Sequence, residues 1–262
     1  MTKLALQLIA FTLIFSPIAA KAQLAEKVIS GTDILVSDHI ANALKSDRRS
    51  DDEKSRDANR QPGKIMEFFG VKSGDKVSEL LTIGGYYTGI LSEIVGENGV
   101  VYAHNNAWVM KRQEDGKSPV EKRISEHGLT NVIDLISELE DPKLPLGEMD
   151  AVFTVLIYHD AMGGFKTDRA AMNKAIYDSL KPGGIYGIID HHAAPGMGLI
   201  DLTKNHRTER HLVVEDIMKA GFELAGETDL LENLDDPLNV SVFSPTIRGK
   251  THRFVLKFRK PS

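Results

Sequence analysis

Two short runs, Tyr158-His159-Asp160 and Asp190-His191-His192, concentrate the residues of this chain that can move a proton. Each run ends an apolar stretch that reads as a strand, Ala151 to Ile157 and Ile185 to Asp190. Imidazole exchanges protons near neutral pH, and a neighbouring carboxylate can orient it. His159, Asp190 and His191 are therefore the candidate catalytic residues. The same residue types also bind metal ions. Local spacing argues against that use. His191 and His192 point to opposite sides of an extended chain, and His206 and His211, five apart, share a helix face poorly. No metal is assigned, and hydrogen bonding or acid–base use is expected instead.

A second set of residues lies at the ends of earlier strands. Glu79 closes an apolar run from Lys76 to Leu81, and Gly84-Gly85-Tyr86-Tyr87 follows it. Glycines in such a turn let the backbone approach a ligand closely, because no Cβ intervenes. Asn105 ends the next run, Val100 to Asn105, and Glu138 follows a third, Asn131 to Ile136. Tyr86 is placed to wall a ligand pocket. Trp108 can stack on a flat ligand, or serve as an ordinary half-buried side chain.

These positions need a sheet to bring them together. Helical segments over Pro62–Phe69, 87–95, 118–127, 168–180 and 211–220 alternate with strands near 76–81, 100–105, 131–136, 151–157, 185–190, 222–231 and 252–259. Such alternation predicts an α/β fold, a mostly parallel sheet covered by helices on both faces. In open sheets of this kind, ligands bind beyond the carboxyl ends of the strands, where the strand order reverses. Lys181-Pro182-Gly183-Gly184 is a breaker before the fifth of these strands. Residues 232–250 lack a period and are expected to form a long loop.

The start of the chain is of another kind. Met1-Thr2-Lys3, an apolar run from Leu4 to Ala20 and the small-residue site Ala20-Lys21-Ala22 read as a signal peptide over residues 1–22. Cleavage near Ala22 predicts a periplasmic or secreted protein with no stable membrane insertion. Residues 23–61 are expected to be a charged helical extension, solvated over Lys45 to Gln61. The chain has 262 residues, a net charge of −5 and no cysteine. Loss of Lys3 and Lys21 with the leader makes the mature protein more acidic still. An acidic chain without a basic block argues against nucleic acid as a partner. Absence of cysteine rules out a disulfide framework. A small-molecule ligand is the one partner the residues imply, and nothing in them assigns an oligomeric state.

Several stretches together carry a family likeness. They are Arg56-Asp57, Arg60-x-Pro62, Phe68-Phe69-Gly70, Glu79 with Gly84-Gly85-Tyr86-Tyr87-Thr88, Leu180-Lys181-Pro182-Gly183-Gly184, and Arg248-Gly249-Lys250-Thr251 with Arg253-Phe254-Val255-Leu256-Lys257-Phe258. In order and spacing, residues 62–262 resemble class I S-adenosylmethionine-dependent methyltransferases. The likeness is closest to predicted, often exported bacterial members of unknown substrate. The resemblance implies a Rossmann-like fold with seven strands, the last antiparallel. It implies S-adenosylmethionine as cofactor, held by Glu79, Gly84, Gly85, Tyr86, Asn105 and Glu138. It also implies a glycine pattern that this chain does not keep, because Leu81 and Ile83 stand at two of its glycine positions and Asn105 replaces an acid. Those departures predict weak or absent cofactor affinity. Two readings stay open: a methyltransferase acting outside the cytoplasm on an unknown acceptor, or a non-methylating binding protein or different enzyme on the same fold with a degenerate cofactor site.

Overall fold

The computed structural model describes residues 28–197 and 202–262. The expected signal peptide lies outside the described residues, and among these no helix is long and apolar enough to cross a membrane.

One sheet organises the chain. Its strands are β1 (Val28–Ile29), β2 (Lys76–Leu80), β3 (Val100–Asn105), β4 (Val132–Ile136), β5 (Met149–Val155), β6 (Leu180–His191), β7 (Glu223–Thr228) and β8 (Arg253–Arg259), in the order β1-β7-β8-β6-β5-β2-β3-β4. All neighbours pair in parallel except β8, which runs antiparallel to both β6 and β7. Strand order reverses between β2 and β5: the chain first builds outward through β3 and β4, then returns to β5 on the other side. The crevice above their carboxyl ends is where a doubly wound sheet takes a ligand.

The central strands are dry on both faces. Val77 to Leu80 of β2 are all buried, as covered parallel strands require. One face packs on α4 (Pro62–Phe69) and α5 (Tyr86–Val95) through Ile65, Phe69, Ile90 and Ile94. The other packs on α9 (Arg169–Ser179) and α11 (Arg210–Lys219) through Met172, Ile176, Val213 and Ile217. Each large apolar side chain buried this way contributes about 1.5–3 kcal/mol. Local signals set the helix ends. Pro62 opens α4, and Gly70 closes it with φ 82°. Ser118 caps α7 (Pro119–His127) by accepting from Glu121 N, and Asp168 caps α9 by accepting from Ala171 N.

The structure departs from the sequence reading in three places. Residues 28 and 29, expected in a helical extension, add an eighth strand beside β7. The Lys181–Gly184 breaker does not precede β6 but lies within it as a bulge: Met149 pairs with Leu180, whereas Ala151 pairs with Ile185. Finally, the charged segment, expected as a solvated helical extension, is helical but pinned to the domain. It folds into α2 (Asp51–Ser55) and α3 (Asp57–Arg60), held down by two largely buried ion pairs. Arg49 binds Asp57 at 2.5 Å, and Glu53 binds Arg123 of α7 at 2.6 Å.

Candidate functional site

Above the switch point lies a cleft of about 920 Å³. Its floor is the carboxyl ends of β2, β5 and β6. Its walls are the loop from β2 to α5, the α2–α3 segment, and residues of the 232–250 region.

The β2–α5 loop has an unusual backbone. Leu81, Ile83 and Gly85 take φ values of 52°, 54° and 71°. That region suits glycine and is unfavourable for leucine and still more for a β-branched residue. Neighbouring groups hold the loop there. Thr82 N donates to His104 O at 2.9 Å, and Ile83 N donates to Asn105 Oδ1 at 2.9 Å. Gly84 faces open space, since a Cβ built there would meet nothing within 4 Å. Thr82 also lines the cleft, and its hydroxyl oxygen is buried without a hydrogen-bond partner.

Glu79 sits beneath this loop and is almost fully buried. It accepts from Thr88 Oγ1 at 2.6 Å. Burial pushes its pKa up to about 7, against the Thr88 hydrogen bonds and the charges of Arg60 and Arg123. Tyr86 donates to Asp57 Oδ1 at 2.6 Å and carries the guanidinium groups of Arg56 and Arg60 over its ring, each 4.8 Å from the centroid. It thereby ties the α2–α3 segment to the loop. Arg253 reaches the cleft from β8, its pKa lowered to about 10 by burial.

At the other end, α8 (Tyr158–Gly163) starts directly after β5. His159 is buried against Asp190: its Nδ1 lies 2.6 Å from Asp190 Oδ1, and its backbone N donates to Oδ2 at 2.8 Å. Burial disfavours a charged ring here, but the Asp190 carboxylate outweighs it and leaves the pKa of His159 raised. Asp190 is itself fully buried and also accepts from His191 N at 2.7 Å. His191 lines the cleft, bonded to Thr251 Oγ1, and burial holds its pKa well below the usual value, helped by the charge of His159. His192 packs away from the cleft on His252 and Phe254.

Glu79, Gly84, Gly85, Tyr86, His159 and His191 thus share one cleft, with Asp190 behind His159. Two expected cofactor residues do not. Asn105 is fully buried and turned toward the loop backbone, not the cleft, so its amide braces Ile83. Glu138 is exposed and is not among the lining residues. Trp108 does line it, with Arg112 over its ring at 3.5 Å and Phe165 edge-on at 5.5 Å. Sequence reasoning missed Thr82 and the arginine wall, and it named Asp160, which also lines the cleft, without giving it a role of its own. His206, weighed from the sequence only against His211, reaches the cleft from the end of α10 (Leu202–Asn205) with φ 53° and meets His159 there. Local spacing carries no trace of that meeting. Residues 232–250 were expected as a loop; they form no helix or strand, and Val242, Phe243 and Arg248 from them line the cleft. A buried two-pronged pair, Arg207 with Asp236, anchors that loop at 2.9 Å for each prong.

No protein-family model and no curated protein matches the chain. Solved structures do. A SAM-dependent methyltransferase from Aquifex aeolicus superposes with a TM-score of 0.59 at 22% identity, covering 84% of this chain and 97% of that one. Geranyl diphosphate C-methyltransferase from Streptomyces coelicolor A3(2), solved with Mg2+, geranyl diphosphate and S-adenosyl-L-homocysteine, gives 0.57 at 13% identity, covering 84% and 87%. The [4+2]-cyclase SpnF gives 0.56 at 15% identity, covering 85% and 91%. At these identities the likeness speaks to architecture, and the chain has the Rossmann-like fold of class I methyltransferases, with an added edge strand.

Proposed function

We propose that the cleft binds S-adenosylmethionine and transfers its methyl group to a small-molecule acceptor, outside the cytoplasm as the leader sequence implies. The observation that carries this reading is the β2–α5 loop. It takes a glycine-type backbone at 81, 83 and 85, the three positions where the resemblance calls for glycine, although two of them hold other residues. A chain with no use for that conformation would not be expected to sustain its strain.

The residues fit the amino-acid end of the cofactor better than its ribose. Glu79 is a buried carboxyl group with a hydroxyl partner and, among the described residues, no ion-pair contact, suited to a ligand's ammonium group. Thr82 Oγ1 offers an unused hydrogen bond, and Arg56 and Arg60 line the same side for a carboxylate. Asn105, turned inward, leaves the ribose without its expected partner. Bound S-adenosylmethionine supplies an already activated methyl group, so alignment sets the rate. The wall of Trp108, Phe165 and Phe243 excludes water and positions an acceptor beside His159.

The inward turn of Asn105 and the half-exposed Ile83 favour a second reading, a different ligand or reaction in the same cleft. Calorimetry of the mature protein with S-adenosylmethionine separates the two. Methyl transfer expects measurable binding, tightened by Ile83→Gly. No binding by either protein overturns it in favour of the second reading.

A further inference from the structure

The fold brings together three side chains that no local spacing pairs. His159 and Asp160 stand on α8, and His206 follows α10, some 46 residues later in the chain. We propose that His159 Nε2, His206 Nδ1 and the Asp160 carboxylate hold a divalent ion of the zinc class in the wall of the cleft.

The distances are those of a shared ion. His159 Nε2 lies 3.3 Å from His206 Nδ1 and 3.5 Å from Asp160 Oδ2, and His206 Nδ1 lies 3.2 Å from Asp160 Oδ1. One donor atom from each residue falls within 4.8 Å of the others. Donors bound to tetrahedral zinc at about 2.0–2.1 Å stand about 3.3–3.4 Å apart, so the two nitrogens already have the spacing, and Asp160, which meets them through different oxygens, would bind through both or after a turn of its carboxylate.

The support behind the donors matches as well. Asp190 occupies His159 Nδ1 at 2.6 Å. As a carboxylate it accepts a hydrogen bond from the Nδ1–H, which in the neutral ring leaves the Nε2 lone pair directed at the cluster. Two backbone N–H groups, those of His159 and His191, fix Asp190 in turn. A carboxylate behind a histidine is the usual arrangement that orients a metal ligand. His206 is held at φ 53°, a backbone region unfavourable for histidine, and that conformation faces its ring toward His159.

Charge points the same way. Asp160 and Asp190 are two carboxylates whose ion-pair partners, among the described residues, are only these histidines. A dication satisfies both. Two imidazole nitrogens with one carboxylate suit zinc, cobalt(II) or iron(II) better than magnesium or calcium, which prefer all-oxygen sites. Asp160 and His206 are partly exposed while His159 is buried, so the ion's remaining positions open onto the cleft. Where the cleft transfers a methyl group, as proposed above, the ion would supply Lewis-acid polarisation to an acceptor oxygen, whose proton would leave to solvent through the open cleft.

Binding itself is the test, made on untagged mature protein stripped with chelator. Zinc titration calorimetry should give one site, and cobalt(II) should produce visible ligand-field bands that zinc abolishes. His206→Ala and Asp160→Asn should each weaken binding at least tenfold. Asp190→Asn, which touches no donor atom of the cluster and acts through the support of His159, should weaken it by roughly 10–100-fold. His211→Ala, exposed and outside the cluster, should leave it unchanged. Thermal melts of the metal-free variants check that each is folded. Absence of a bound equivalent, or binding that survives His206→Ala and Asp160→Asn unchanged, overturns the proposal. S-adenosylmethionine calorimetry on the zinc-free protein reports separately on methyl transfer.

Discussion

Leu81 and Ile83 share one backbone conformation and differ in burial, so replacing each by glycine tests the reading of the loop. Their φ values are 52° and 54°. A non-glycine residue there costs about 1–2 kcal/mol, which glycine removes. Glycine also frees the unfolded chain, at a cost of about 0.5–1 kcal/mol. Ile83 is 47% exposed, so its loss forfeits about half of a buried side chain's contribution, roughly 1 kcal/mol. Ile83→Gly should therefore fall within about 1 kcal/mol of neutral. Leu81 is 3% exposed and packs in the core with Leu80 and Val109. Its removal costs about 2–5 kcal/mol in transfer and cavity terms, leaving Leu81→Gly about 2–4 kcal/mol destabilised once the strain relief is credited. For a domain of this size, each kcal/mol moves Tm by about 2–4 °C. Scanning calorimetry should show Leu81→Gly melting roughly 5–15 °C lower and Ile83→Gly within about 4 °C of the parent. Equal losses in both variants, or none in Leu81→Gly, would refute the argument.

Four more outcomes follow from the geometry of the cleft and its walls. Burial raises the pKa of Glu79 from 4.5 to about 7, so the folded state holds a proton that the unfolded state releases. The stability this brings is complete below about pH 4.5 and lost as pH rises through 7. Relative to Glu79→Gln, the parent should lose up to about 3 kcal/mol over that window in denaturant titrations; a pH-independent difference would contradict it. Binding of S-adenosylmethionine beside Glu79 favours the ionised form, so affinity should rise from pH 6 to pH 8, with proton release seen as a buffer-dependent enthalpy. Asp236→Ala strands the Arg207 guanidinium, which is 1% exposed, and should cost about 3–5 kcal/mol, with faster proteolysis within 232–250. Gly89→Ala would set a Cβ 2.1 Å from Arg123 Nη2, displacing its pair with Glu53 at about 1–3 kcal/mol; in an Arg123→Ala background the same change should cost nothing.

The strands and helices of the sheet were readable because their signals are local. Pro62 and Gly70 bound α4, and the apolar runs at 76–81 and 185–190 can be buried only in a covered sheet. Glu79 and His159 could be placed in one cleft for a related reason: strand ends in a doubly wound sheet converge whatever their side chains. Residues whose roles depend on long-range partners were not readable. Lys45 to Gln61 looks like a solvated charge run, and partners far off in the chain, Arg123, Tyr86 and Arg253, help convert it into a wall of the cleft. Asn105 stands where a ribose partner belongs, but an amide can bond to a backbone as readily as to a ligand, and the nearby Ile83 N–H took it. Periodicity fixes the direction of a side chain from its own element and says nothing of what arrives from another. Local residue patterns were enough to set the layered α/β sheet, the strand ends and the breaks between them. Tertiary structure alone decided that His206 would meet His159 and Asp160 within 3.5 Å, because chain folding sets distances between residues far apart in sequence.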